Sequence, residues 1–214
     1  MLEILSETKD PTRVQPHLKK CFEGVDRLRF EANGDISGMV SIEGELVPLA
    51  TRIRPASANG AVEKWLVQVE SGMVESMRQV VTQGVAAYAP ERRGEWVLKW
   101  PGQVVLAVTA IFWTQDVSAA ISAGASDPSA LAGCAARCGS QLNDVVGLVR
   151  GELSPLNRAT LSALVVMDVH ARDVAAALAA EEGVAGQPGC FSWTSQLRHY
   201  FEEQRPADEA CGWW

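Results

Sequence analysis

The sequence predicts a mainly α-helical fold with a small antiparallel β meander near its N-terminus. Three observations carry this. Val62, Leu66, Val69, Met73, Met77, Val80, Gly84 and Tyr88 step by three or four, the spacing of one helix face. Pro101 opens a long apolar run that reaches toward Ile121. Before both, residues 27–54 alternate apolar with polar around an Asn33-Gly34 pair, a strong hairpin signal.

Taken in order, residues 2–7 read as the end of a helix, and Asp10-Pro11-Thr12 as a turn and a new helix start. That second helix runs to about Gly24, with Val14, Leu18, Cys21, Phe22 and Val25 at helical spacing. Leu28 and Phe30 begin the meander, Ile36, Val40 and Ile42 continue it, and Glu43-Gly44-Glu45 makes the second turn. Val47, Leu49, Thr51 and Ile53 give the third strand. Pro48 has no N–H to donate to a ladder, so that strand belongs at an edge.

Ser57-Ala58-Asn59-Gly60 breaks the pattern before the 62–88 helix, whose apolar face Trp65 widens and which Ala89-Pro90 ends. Residues 94–114 form the packing centre, with Trp96, Trp100 and Trp113 among them. A proline biases its predecessor away from helix, so Trp100 is expected extended. Pro101 itself is expected as the first helical residue, where a missing N–H costs nothing. Val104, Val105, Val108, Thr109 and Ile111 also suit a buried strand, but strands rarely exceed ~10 residues, so length favours a helix to about Ile121.

Gly124–Pro128 is a loop, followed by a helix to about Arg150 whose first half is rich in Ala and Gly. Ser154-Pro155 reads as an N-cap and first helical residue of a helix to about Glu181, roughly 39 Å long. Leu161, Leu164, Val165, Val166, Met167 and Val169 leave it little polar face, so burial on most sides is expected. Gly183–Gly189 reads as a flexible connector, and a last helix covers about 190–203 with Phe191, Trp193, Leu197, Tyr200 and Phe201. Residues 203–214 carry Pro206 and no apolar period before Trp213, so a loosely attached tail is expected.

Composition narrows the function classes. The net charge of −7 argues against nucleic acid as a partner. The longest apolar runs, Val104–Trp113 and Ala163–Met167, are short of the ~20 residues a membrane helix needs, so no membrane partner is expected. Five cysteines without framework spacing fit a reducing compartment. Met1-Leu2-Glu3-Ile4 lacks the basic start of a signal peptide, and both ends read as cut from something larger.

The chemistry is sparse. A phosphate-binding loop needs a Gly-Lys-Ser or Gly-Lys-Thr, and none occurs; Gly183–Gly189 has the glycines without the lysine. ATP binding, catalysis and any cofactor are therefore not expected of this chain. Cys134 and Cys138 stand four apart on a helix, two short of the ligands of a structural zinc site, and read as buried thiols. Asp168, His170, Arg172 and Asp173 make the densest polar cluster; an acid–base pair is conceivable there, but Asp168 and Arg172 at i,i+4 favour a structural ion pair.

Several stretches resemble dynein heavy chains. They are Leu2–Pro11, Val14–Phe22, Trp96–Val105 followed by Phe112-Trp113-Thr114, Val169–Val174, and Gln196–Tyr200, which is similar to the segment leading into the motor ring. Val62-Glu63-Lys64-Trp65-Leu66 resembles the axonemal, single-headed inner-arm type. The resemblance covers about residues 1–200: a meander at 27–54, then helical stretches at 61–123 and 127–200. Residues 201–214 depart from it, and 124–140 are richer in Ala and Gly than the family's helix there.

The resemblance implies the C-terminal part of the linker, an elongated helical-bundle arch that lies across a ring of six AAA+ modules and moves with the ATP cycle. It implies the ring of the same heavy chain as partner. Other dynein subunits and microtubules are reached only through the full-length motor, where ATP and Mg act. The location implied is the cytoskeleton of the cytoplasm and the ciliary axoneme. Trp96, Trp100, Pro101, Asp168, His170, Arg172, Trp193, Leu197 and Tyr200 are the candidate structural or interaction positions. The alternative is a stand-alone helical adaptor that binds a partner through apolar helix faces.

Overall fold

The computed structural model describes residues 11–202. The expectations for residues 2–7 and 203–214 lie outside them. The chain divides into two compact units. One takes in the chain up to Val105 together with Leu148–Ser162, the other Leu106–Gly147 and the chain from Ala163 on.

In the first unit Pro11–His17 forms a 3-10 helix that passes into α1 (Leu18–Cys21), where the spacing predicts a continuous α-helix. Pro16 lies inside that segment, where it gives no N–H and its ring crowds the preceding turn, which disfavours a continuous α-helix there. Val14 and Leu18 are buried as the spacing requires, whereas Cys21 is exposed.

Strands β1 (Val25–Phe30), β2 (Ile36–Ser41) and β3 (Leu46–Ile53) form the expected antiparallel meander in the order β1-β2-β3. Asn33 makes its turn by accepting the Asp35 N–H at 3.0 Å, and Gly34 supplies a φ of 83°. Pro48 lies on the edge strand β3, opposite Gly38. Side chains bond to the backbone at both sheet edges. Gln15 takes the place of a fourth strand at β1: its Nε2 donates to the Leu28 carbonyl at 2.7 Å and its Oε1 accepts the Leu28 N–H at 2.9 Å. At β3 the Ala50 N–H donates to the Ser76 hydroxyl at 2.9 Å.

Ser76 comes from α2 (Val62–Tyr88), whose apolar stripe packs on the sheet. Trp65, Val69, Ile36, Ile53 and Leu28 are the centre of that core. The approach to Pro101 is not extended as expected. Arg93–Trp96 forms the one-turn helix α3, and the N–H groups of Leu98 and Lys99 turn back to the carbonyls of Glu95 and Trp96. Burial of Trp96 and Val97 decides this local winding.

The next helix, α4, runs Gly102–Ala123. Pro101 precedes it, and its carbonyl accepts the first helical bond, from Val105 N–H, at 2.9 Å. By length and composition α4 is apolar enough to span a membrane, which run length alone does not show because Thr109, Thr114 and Gln115 interrupt the run. Its most apolar window is 56% buried, as befits a core helix. Helices α5 (Ala130–Val149) and α6 (Pro155–Ala180) follow. Ser154 caps α6 as expected, its hydroxyl accepting the Asn157 N–H at 3.1 Å. Arg158 returns to the end of α5 and donates to the carbonyls of Val149 and Gly151.

In the second unit Val117, Ile121, Leu131, Cys134, Leu178, Val184 and Trp193 share a core. The expectation that α6 is buried on most sides does not hold. Leu161, Leu164, Asp168, Ala175 and Leu178 form the buried face, and Val166 on the other side is 69% exposed. The 183–189 loop is tied down rather than free: Val184 is buried and the Gly186 N–H donates to the Ile121 carbonyl at 2.7 Å. The approach leaves no room for a side chain, since a Cβ on Gly124 would lie 2.9 Å from that of Ala185. The last helix, α7, is one turn, Phe191–Thr194, and not the longer helix expected over 190–203.

Candidate functional site

The sequence candidates resolve into separate clusters. In the first unit Trp96 is fully buried and donates its indole N–H to the Gly84 carbonyl of α2 at 3.1 Å. The Tyr88 ring meets Trp96 edge-on at 4.9 Å, and Trp100 lies 6.4 Å away at a tilt of 34°. Lys99 reaches back to Glu91 at 2.9 Å, a contact that raises the ammonium's pKa. Gly102, just past Pro101, gives its N–H to Glu45 Oε1 at 3.0 Å. A carboxylate from the β2–β3 turn thus caps α4 across 57 positions of sequence, where the helix end favours negative charge.

In the second unit Trp193 is buried against Trp113, ring centroids 5.5 Å apart and planes at 69°. Arg198 lies over the Trp193 ring at 6.0 Å. The His199 N–H donates to the Thr114 hydroxyl at 3.0 Å, while that hydroxyl donates to the Ala110 carbonyl at 2.8 Å. Helix α7 is therefore held on α4 by one aromatic pair, and the segment after it is pinned there by one fully buried hydroxyl. Leu197 and Tyr200, 79% and 62% exposed, flank that pin, and Phe191 is exposed as well.

The 168–173 cluster does not converge. Asp168 is buried, His170 is exposed, and Arg172 places its guanidinium on its neighbour Asp173 at 2.7 Å. Arg172 thus meets the adjacent carboxylate of Asp173, a contact that i,i+4 spacing does not suggest. Among the described residues no three His, Cys, Asp or Glu side chains group to hold a metal.

Cys134 and Cys138 are both buried, and the Cys138 thiol donates to the Cys134 sulfur. That hydrogen bond lowers the Cys134 pKa to about 7 against the pull of burial, and it raises that of Cys138 well above the usual thiol range.

Gln15, Glu45, Ser76 and Thr114 organise these contacts, and sequence reasoning does not single them out. Thr114 carries the one usable signal, a hydroxyl closing the apolar run Val104–Trp113. The partners of the other three lie 13 to 57 positions away.

Residues 1–84 match the family model described as dynein heavy chain, N-terminal region 2. Over 201 residues, 94% of this chain, the sequence is 52% identical to human dynein axonemal heavy chain 3. The chain belongs to the dynein heavy chain family. Mouse dynein axonemal heavy chain 12 is 52% identical and mouse dynein axonemal heavy chain 1 is 45% identical, each over 94% of this chain. The chain spans only 5%, 6% and 4% of those three relatives. The family description names an N-terminal region of the heavy chain rather than the C-terminal part of the linker that the resemblance implied. Motif matches give order along the chain and do not by themselves fix which region of a heavy chain they belong to.

Proposed function

We propose that this chain is a mechanical linker, or lever, of an axonemal dynein heavy chain, serving an ATP-driven microtubule motor in the ciliary axoneme. Its direct partner is then the AAA+ ring of the same heavy chain, with other dynein subunits and microtubules reached through the whole motor. This stretch carries no catalysis and holds no cofactor; ATP and Mg act in the ring.

The supporting observation is the pinned segment after α7. A lever has to hand displacement to its neighbour through a joint that does not give. His199 on Thr114, with Trp193 on Trp113, fixes the backbone there and leaves Phe191, Leu197 and Tyr200 outward as apolar anchors.

The test uses a complete motor carrying this segment. A short Gly-Ser insertion between Leu197 and Arg198 makes the joint a flexible coil. Microtubule gliding is expected to slow strongly while basal ATP turnover in the same preparation survives better. Unchanged gliding would remove the lever from consideration.

A further inference from the structure

We propose that Ser57 is a phosphorylation site for an arginine-directed serine/threonine kinase, and that the phosphate draws Arg54 away from Asp35. The sequence Arg52-Ile53-Arg54-Pro55-Ala56-Ser57 puts two guanidinium groups five and three residues before one hydroxyl. The fold presents them together. Ile53 is buried at the end of β3, so the alternation of an extended chain turns Arg52 and Arg54 outward, and both are exposed. Ser57 is exposed on the 3-10 turn Pro55–Ala58, and its hydroxyl makes one local contact, donating to the Arg54 carbonyl at 2.7 Å. Two exposed guanidinium groups at fixed offsets from an exposed hydroxyl are what an acidic kinase groove reads, because arginine pairs bidentately with carboxylates.

In the transfer, Ser57 Oγ attacks the γ-phosphorus of Mg-ATP. The Oγ–P bond forms as the bond from that phosphorus to the β,γ-bridging oxygen breaks; ADP leaves, and the hydroxyl proton passes to the kinase's catalytic base. The product changes a loose arrangement. Arg54 now sits 3.8 Å from Asp35, tying the turn to the tip of the β1–β2 hairpin across a cleft bounded by Asn33, Pro55, Ala56 and Asn59. A phosphate three residues from Arg54 carries about twice the charge of a carboxylate and accepts from guanidinium with two oxygens at once. Arg54 therefore exchanges partners, and the hairpin tip loses its tie to the chain that leads into α2.

The experiment incubates the folded chain with the catalytic domain of an arginine-directed kinase and Mg-ATP, beside a synthetic peptide of residues 50–60. Intact mass should show one phosphate per chain, and peptide mapping should place it on Ser57. Ser57→Ala should abolish incorporation, and Arg52→Gln or Arg54→Gln should each slow it about tenfold, the value of one charge-assisted contact. A phosphorus-31 titration of the product should give a second phosphate pKa below the usual value of about 6, restored by Arg54→Gln. Phosphorylation of the peptide but not of the folded chain would overturn the site, as would incorporation that survives Ser57→Ala. A phosphate pKa indifferent to Arg54→Gln would overturn the exchange of partners.

Discussion

Trp96 and Gly84 are joined by a hydrogen bond of 3.1 Å from the indole N–H to the main-chain carbonyl, in a site that solvent does not reach. The bond fixes the rotation of a large side chain, so the turn carrying it is fixed against α2 as well. Trp96→Phe is expected to destabilise the chain by about 2–4 kcal/mol, roughly 1 from the hydrogen bond and the rest from unfilled volume. Trp100→Phe should cost less than half as much, since Trp100 is only partly buried and its indole N–H has no acceptor among the described residues. Urea unfolding of the two variants makes the comparison.

Glu45 and Gly102 offer a second check. The carboxylate takes one of the N–H groups that a helix start leaves without an internal partner, next to the positive end of the helix dipole. Glu45→Ala should lower stability by about 1 kcal/mol, in the range of other lost caps. Glu45→Gln keeps an acceptor and loses the charge, so it should fall between the two. Denaturation midpoints at low and high salt separate the parts, because only the charge term is screened.

The sequence is legible where local chemistry and tertiary packing ask for the same thing. Asn33-Gly34 needs only its own backbone and the Asn33 side chain to make a turn, and Ser154-Pro155 needs only the helix it starts. The 62–88 stripe has one reading because its apolar members from Val62 to Val80 join one core with the sheet. Legibility fails where a distant partner overrides local preference. Nothing in Arg93-Gly94-Glu95-Trp96 itself announces the one-turn α3; the burial of Trp96 under α2 decides it. The segment after α7 reads as helix by its aromatics, but the bond from His199 to Thr114, 85 positions back, holds it in another conformation. Val166 shows the same limit: an apolar residue in an apolar helix reads as buried, and only the packed face of α6 says otherwise.

Thr114 and His199 give the third prediction. Thr114→Val keeps the shape and deletes the hydroxyl, leaving the His199 N–H without its acceptor. Amide exchange at His199 should accelerate at least about tenfold if a bond worth some 1–1.5 kcal/mol is lost. Thr114→Ser retains the hydroxyl and should leave exchange within a few-fold of the parent. Acceleration in Thr114→Ser with none in Thr114→Val would show that packing of the methyl group, and not the hydrogen bond, holds the segment.

The last prediction concerns Cys134 and Cys138 and has a sign. Cys134 has a folded pKa of about 7, below its ordinary value of 9.0, so its contribution to stability is present above the ordinary value and lost as pH falls through about 7. Cys138 is shifted the other way, so its contribution is present below the ordinary thiol value and lost as pH rises beyond it. Between pH 7 and 9 the first effect acts with the second still intact, and the pair should raise stability across that window. Cys138→Ala removes the donor that holds the Cys134 thiolate, so the Cys134 pKa should rise toward its ordinary value, since burial is then opposed only by the smaller pull of the Arg137 charge. Melting temperatures of parent and variant at about pH 6 and pH 8 measure the difference, with thiolate absorbance following the titration directly. The parent should gain stability relative to Cys138→Ala on going from the lower pH to the higher. Parallel melting curves at both values would mean that the two sulfurs do not share a proton, and that the pair is held by packing alone.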